Sequence, residues 1–170
     1  GAAGAIRVST RDPDQTTRGF FELGAGNYDA RSARLLVSGA LVDNTLYGSF
    51  SATRISRDGT VHNRTTDKDV NNIDIQSYRG KLRWAPDDSR WDVQLTLAGT
   101  IDRGDTTSYT PFNVANEHYD KFTTYNSLTP RNKLDQGSAV LRAIYSLDDN
   151  LSFKSVTAWS EFEQPVDYDN

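Results

Sequence analysis

Two polar stretches of this 170-residue chain hold the side chains best suited to binding chemistry. Between residues 103 and 135 stand Tyr109, Phe112, His118, Tyr119, Phe122 and Tyr125. Ring faces stack on planar ligands, and hydroxyls and ring nitrogens add directional hydrogen bonds. The same aromatics would serve equally to hold a long loop packed on itself. Around residues 57–72, Arg54, Arg57, His62 and Arg64 can draw in an anion. The plainer reading is a solvated loop whose charge Asp58, Asp67 and Asp69 balance.

Other chemistries lack their residues. The two histidines, His62 and His118, have no Cys, His or carboxylate partner at metal-ligand spacing, so no metal held by protein side chains is expected. Asp102, Asp105 and Asp58 offer oxygens to Ca²⁺, but no twelve-residue calcium loop surrounds them. No nucleophile elbow or histidine-bearing triad can be placed, and Glu161 with Glu163 reads as a surface pair on one strand face. The glycines at 1 and 4 lack the Lys-Ser/Thr of a phosphate cradle. There is no cysteine, hence no thiol chemistry. A formal net charge of −4 gives no electrostatic case for nucleic acid, and the basic stripe Arg79, Lys81, Arg83 has no basic surround. An enzyme is not expected, nor a bound cofactor.

The elements that must carry these loops are strands. From Trp91 to Asp102 the chain alternates strictly: Trp91, Val93, Leu95, Leu97, Gly99 and Ile101 on one face, and Asp92, Gln94, Thr96, Ala98, Thr100 and Asp102 on the other. Period two over twelve residues is a strand. Residues 73–84 alternate more loosely, and Pro86-Asp87-Asp88-Ser89 between them is turn chemistry. The expected hairpin sets Trp84 opposite Trp91, Leu82 opposite Val93 and Arg83 opposite Asp92. Strands are also expected over 18–28, 31–41, 46–56, 136–147 and 151–163. A short one over residues 6–8 is broken by Arg11-Asp12-Pro13-Asp14-Gln15, a turn or linker. In the second hairpin Leu41 meets Leu46, Val37 meets Phe50 and Leu35 meets Ala52; in the last, Tyr145 meets Phe153 and Ala139 meets Trp159. The whole is an all-β antiparallel meander of about seven long strands. Leu36, Ala40, Val140, Ile144 and Val156 blur its polar face.

Strands of about 10–13 residues exceed the usual globular length of about 5–6 and suit a tilted crossing of a bilayer. Short turns at one end and mostly long loops at the other, over 57–72 and 103–135, fit the same architecture; the short connection after the first long strand is the exception. No apolar run is long enough for a spanning helix. The mean hydropathy of −0.66 is no obstacle, because only every second residue of such a strand is apolar.

Seven segments carry a family resemblance. They are residues 1–13 (Gly-Ala-Ala-Gly-Ala-Ile-Arg-Val-Ser-Thr-Arg-Asp-Pro), Arg18-Gly-Phe-Phe-Glu, Gly26-Asn-Tyr-Asp, Val37-Ser-Gly-Ala-Leu-Val-Asp, Leu46-Tyr-Gly-Ser, Arg57-Asp-Gly and Leu151-Ser-Phe-Lys-Ser-Val-Thr-Ala-Trp. The chain resembles the TonB-dependent outer-membrane receptors and, through Leu46-Tyr-Gly-Ser and Ala85-Pro-Asp-Asp, those of the siderophore type and the yersiniabactin-receptor kind. The resemblance implies that residues 1–16 are the end of a plug domain and its linker. Residues 17–170 would be the N-terminal part of a 22-stranded transmembrane β-barrel with extracellular loops, the rest lying outside this chain. It implies a Gram-negative outer membrane, lipid around the apolar face, and a ferric siderophore as the first choice of cargo, with cobalamin or a glycan fragment left open. Arg57, His62, Arg64, Tyr109, Phe112, His118, Tyr119 and Tyr125 are then the candidate ligand contacts. Energy coupling would run through the TonB–ExbB–ExbD complex by an N-terminal part not contained here. A soluble all-β carbohydrate- or ligand-binding module is the alternative; it requires the apolar face to be buried against a second sheet.

Overall fold

A computed structural model of the chain describes residues 4, 9–105, 122–125 and 133–165. In chain order the strands are β1 (Arg18–Gly26), β2 (Ala30–Val42), β3 (Leu46–Arg57), β4 (Val61–Asn63), β5 (Lys68–Val70), β6 (Ile73–Trp84), β7 (Trp91–Asp102), β8 (Thr123–Thr124), β9 (Leu134–Ser146) and β10 (Ser152–Glu163). The seven long strands form one antiparallel sheet in the order β1-β2-β3-β6-β7-β9-β10. The described residues leave this sheet open. The short strands make a second sheet, β5-β4-β8, at the long-loop end. Among the described residues no helix is long and apolar enough to cross a membrane, which says nothing about crossing by strands.

The register is legible in sequence where turns are tight. Val37 pairs with Phe50, Leu35 with Ala52 and Gly39 with Gly48. Tyr145 pairs with Phe153 and Ala139 with Trp159. Leu41 is a correction: it forms a bulge, so Val42 rather than Leu41 meets Leu46. Leu41 instead covers the close approach at Gly48, whose Cβ position would lie 3.0 Å from Leu41 Cδ1.

The β6–β7 hairpin is a larger correction. Trp84 pairs with Val93, Leu82 with Leu95, and Arg83 with Gln94, a slip of two residues from the expected pairing. Trp91 therefore passes beyond Trp84 and stacks on Tyr145 of β9, with centroids 4.7 Å apart. The cause lies in the connection. Its backbone bonds to the β2–β3 turn, Ala85 N–H to Thr45 O at 2.9 Å and Asp87 N–H to Asn44 O at 3.1 Å, so it lies against that turn instead of closing tightly. A slip of two preserves the face of every side chain, so alternation could not detect it. It also lets the Tyr78 ring lie over Gly99, where a Cβ would collide with it.

One face of the sheet is a continuous apolar surface. Running from Phe21 through Leu35, Val37, Phe50, Tyr78, Leu82, Leu95, Leu97 and Leu141 to Trp159, its large side chains stay uncovered: Phe21 is 66% exposed, Leu97 50% and Trp159 58%. Gly99 lies opposite Tyr78, and Trp91 opposite Tyr145. The eight steps between them along β7 span about 26 Å, at roughly 3.3 Å per residue. Trp84, Trp91, Tyr145 and Phe153 mark the short-turn rim. Beyond the opposite rim the outward row turns polar, with Arg54, Gln76, Asp135 and Glu163. The other face is mainly hydrophilic and is covered over β6 and β7, where Lys81 is 8% exposed and Gln94 6%, while Phe20, Val156 and Phe162 stay open on the same face of the edge strands β1 and β10.

Candidate functional site

At the long-loop end, β4 joins the two candidate loops. It pairs antiparallel with β5 and parallel with β8, which comes from the 103–135 connection. His62 N–H donates to Phe122 O at 2.8 Å and Arg64 N–H to Thr124 O at 2.9 Å. Thr65 Oγ1 donates to Tyr125 O at 2.7 Å. Val61, Val70, Asn63, Thr123 and Thr124 are buried, a dense packet among described residues that otherwise hold almost no apolar core. Asn63 Oδ1 accepts the amides of Thr65 and Thr66 and so closes the β4–β5 turn. Gly59 allows the packing: a Cβ there would stand 2.6 Å from the Asp69 carbonyl carbon and 2.7 Å from Val70 N.

The expected residues divide accordingly. His62, Arg64 and Tyr125 come together on this small sheet, with Phe122 beside them. His62 Nδ1 lies 2.9 Å from Asp69 Oδ1, and its Nε2 3.6 Å from Asp67 Oδ1. Arg57 is occupied differently, donating to Asn71 O at 2.5 Å and Asp58 O at 3.3 Å. Arg54 points outward from β3 toward Asp74. Tyr109, Phe112, His118 and Tyr119 lie outside the described residues. Among the described residues no group of three or more His, Asp or Glu side chains could hold a metal. Asp102 Oδ1 is taken by the Gly104 amide at 2.8 Å.

A second constellation lies on the polar face, where the segment before β1 forms a strap. An ammonium group carries three N–H donors. Lys81 spends all of them on the strap: Thr10 O at 3.0 Å, Arg11 O at 2.9 Å and Asp12 Oδ1 at 2.8 Å. Asp12 Oδ1 also accepts from Gln94 Nε2 at 3.0 Å, and its Oδ2 meets Arg142 at 3.0 Å. Arg83 donates to Pro13 O at 3.3 Å and grips Asp92 through two bonds of 3.0 Å. Pro13 is fully buried. Gln15 holds the far end, donating to Asp43 and accepting from the Asn44 amide. Three adjacent strands, β6, β7 and β9, thus converge on one carboxylate. Burial acts to raise the Asp12 pKa, but hydrogen bonds from Lys81 and Gln94 and the charges of Lys81 and Arg142 outweigh it and hold the group below its usual value. The Arg18 hydrogen bond, with the Thr16 amide, pulls Asp14 down to about 2.

Sequence alone marks the Arg79–Lys81–Arg83 stripe and the Arg83–Asp92 pair, and reads Arg11-Asp12-Pro13-Asp14 as a turn or linker. It does not join them. The available signal is an acidic, proline-containing segment facing an otherwise unexplained row of cations.

No family model matches the chain. The pesticin receptors of Yersinia enterocolitica and Yersinia pestis are 32% identical to it over 115 residues, 65% of this chain and 16% of theirs. The crystal structure of the ferric yersiniabactin uptake receptor FyuA from Yersinia pestis superposes with a TM-score of 0.77 at 27% identity, covering 91% of this chain and 25% of that one. The chain is thus similar to bacterial receptors in sequence and in fold, and spans a minor part of their length.

Two outcomes test these sites. Gly59→Ala forces the β5 backbone away and should cost the small sheet about 1–3 kcal/mol, as overpacking does. Hydrogen exchange at the His62 and Arg64 amides should quicken while β6 and β7 amides keep their protection. For the strap, a lowered folded-state pKa means the unfolded state binds the proton first as pH falls. The Asp12 contribution is therefore complete above its ordinary value of 3.8 and is lost below it. Protease cleavage within 9–16 should rise as pH falls below about 4, and Asp12→Asn combined with Asp14→Asn should remove most of that pH dependence, because both carboxyls are held below their usual value.

Proposed function

We propose that this chain is a segment of a TonB-dependent outer-membrane receptor for a ferric siderophore. Residues 1–16 would be the end of the plug and its linker, and 17–170 the first strands of a 22-stranded barrel. The observation that carries the reading is the inverted burial of the sheet. Its large apolar side chains stand uncovered, while Lys81 and Gln94 on the reverse face are buried. A soluble protein rarely exposes so large an apolar patch, and a bilayer is the solvent in which it is stable. Likeness to a ferric yersiniabactin uptake receptor over 91% of the chain supports the same choice. The soluble binding module needs a second sheet over Leu95, Leu97, Val37 and Phe50, and those side chains remain exposed.

In this reading the long-loop end faces outward and the short turns face the periplasm. Arginines and aromatics of the joined loops collect an anionic chelate by charge and stacking. The candidates are Arg57, His62, Arg64, Tyr109, Phe112, His118, Tyr119 and Tyr125. Iron is cargo held by the chelator, and no step requires a catalytic residue. The strap fixes the junction between plug and wall, so that force delivered through TonB–ExbB–ExbD would act on the plug ahead of residue 10. The test is complementation of a receptor-null Gram-negative strain with the complete gene, grown on single iron chelates. Growth should return on one chelate class and vanish when TonB is deleted. Growth on none, or growth independent of TonB, would contradict the proposal.

A further inference from the structure

We propose that the polar face holds an oxyanion site between the strap and strands β1, β2, β3 and β6, built to take one phosphate or carboxylate group. A pocket of about 140 Å³ lies there. Pockets for whole drug-sized ligands run to roughly 300–1,000 Å³, so this one suits a single group. Arg11, Arg18, Arg79 and Lys81 line it, and no carboxylate among the described residues does. The strand register gathers these cations. One row across the sheet reads Arg18, Ser38, Ser49, Lys81, and the next reads Phe20, Leu36, Ser51, Arg79. The strap lays Arg11 alongside, its carbonyl oxygen accepting from Lys81 at 2.9 Å.

Charge in the pocket does not balance. Arg18 is paired with Asp14 at 2.6 Å and Lys81 with Asp12 at 2.8 Å. Asp12 is shared further with Gln94 and Arg142. Glu22, on the same face one row beyond Arg79, is taken by Arg34 at 2.9 Å. Arg11 and Arg79 are exposed, and their side chains have no hydrogen bond or ion pair among the described residues. The hydroxyls of Ser38, Ser49 and Ser51 are likewise unengaged there, on half-buried residues. Two unmatched guanidiniums repel each other, and one oxyanion between them reverses the sign of that interaction. Each guanidinium can give a pair of parallel bonds to phosphate or carboxylate oxygens. The serine hydroxyls add donors. A neutral or cationic group would leave both charges uncompensated.

Two sources can supply the group. One is a phosphate-bearing solute. The other is an acidic side chain of the complete protein from outside this chain, which the receptor reading sets beside this face; only this second source rests on that reading. The test titrates inorganic phosphate into the complete protein at low chloride, by isothermal calorimetry. A solute site predicts saturable binding of one phosphate. Arg79→Gln should then weaken it about tenfold or more, the loss of one charge-assisted bond. Arg103→Gln, at a pair with Asp135 outside the pocket, should leave it unchanged. If a carboxylate of the protein fills the site, phosphate does not bind. Arg79→Lys treated with a carbodiimide then forms an amide cross-link from position 79 to that side chain, mapped by peptide mass spectrometry. Outer-membrane fractionation of the complete protein is scored separately, so failure of the receptor reading is distinct from failure of the site. Phosphate binding indifferent to Arg79→Gln, or no phosphate binding together with no cross-link at position 79, would overturn the proposal.

Discussion

The arrangement rests on one inversion: the sheet buries its charges and exposes its hydrocarbon. Lys81, Gln94, Asp92, Arg83 and Arg142 lie on the face that the strap partly covers, while Leu95 and Leu97 of β7 stand open on the reverse. In water this would be the wrong way round. The hydrophobic term would drive the bare face against any available surface. The same sheet is stable where hydrocarbon supplies the contact on one side and polar groups satisfy one another on the other. Backbone polar groups set a further condition: strands in a bilayer need a paired neighbour on both sides, as in a closed barrel, so the open edges at β1 and β10 would require partners there.

Charge pairing on the polar face then becomes structural. Isolated exposed ion pairs contribute little. Here, however, Lys81, Gln94 and Arg142 share the Asp12 carboxylate, and Arg142 also reaches Asp92 at 3.6 Å. Each of these cations has an acceptor, and removing one partner leaves a half-buried charge uncompensated, which is costlier than the pair is worth. The network therefore specifies where the strap lies more than it adds stability. It also links β6, β7 and β9 through a residue that belongs to none of them.

Much of this is readable in the sequence because alternation determines faces. The β7 pattern from Trp91 to Asp102 places its side chains on their observed sides, and the β2–β3 and β9–β10 hairpins follow from tight turns. Register between β6 and β7 is not readable, because two pairings differing by two residues place the same residues on the same faces. The choice is made by contacts outside the hairpin: the Ala85 and Asp87 amides on the β2–β3 turn, and Trp91 on Tyr145. The small sheet escapes for another reason. Strands of two or three residues carry no period, and β4 finds its partner β8 far along the chain, His62 pairing with Thr123. The strap needs Asp12 contacts spanning 69 residues to Lys81, 82 to Gln94 and more still to Arg142, which local pattern cannot supply. Of the ligand-contact candidates, His62, Arg64 and Tyr125 are brought together, while Arg57 is drawn into a loop bond with Asn71.

A single-cysteine scan along β7 in the complete protein, in its native membrane, tests the inversion most directly, and the cysteine-free sequence of this segment suits it. Each residue from Val93 to Ala98 is replaced in turn by cysteine and labelled with an environment-sensitive fluorophore, and quenching by brominated lipid is recorded. Labels at 93, 95 and 97 should be quenched and those at 94, 96 and 98 spared. Uniform quenching, or none at any position, would contradict the account.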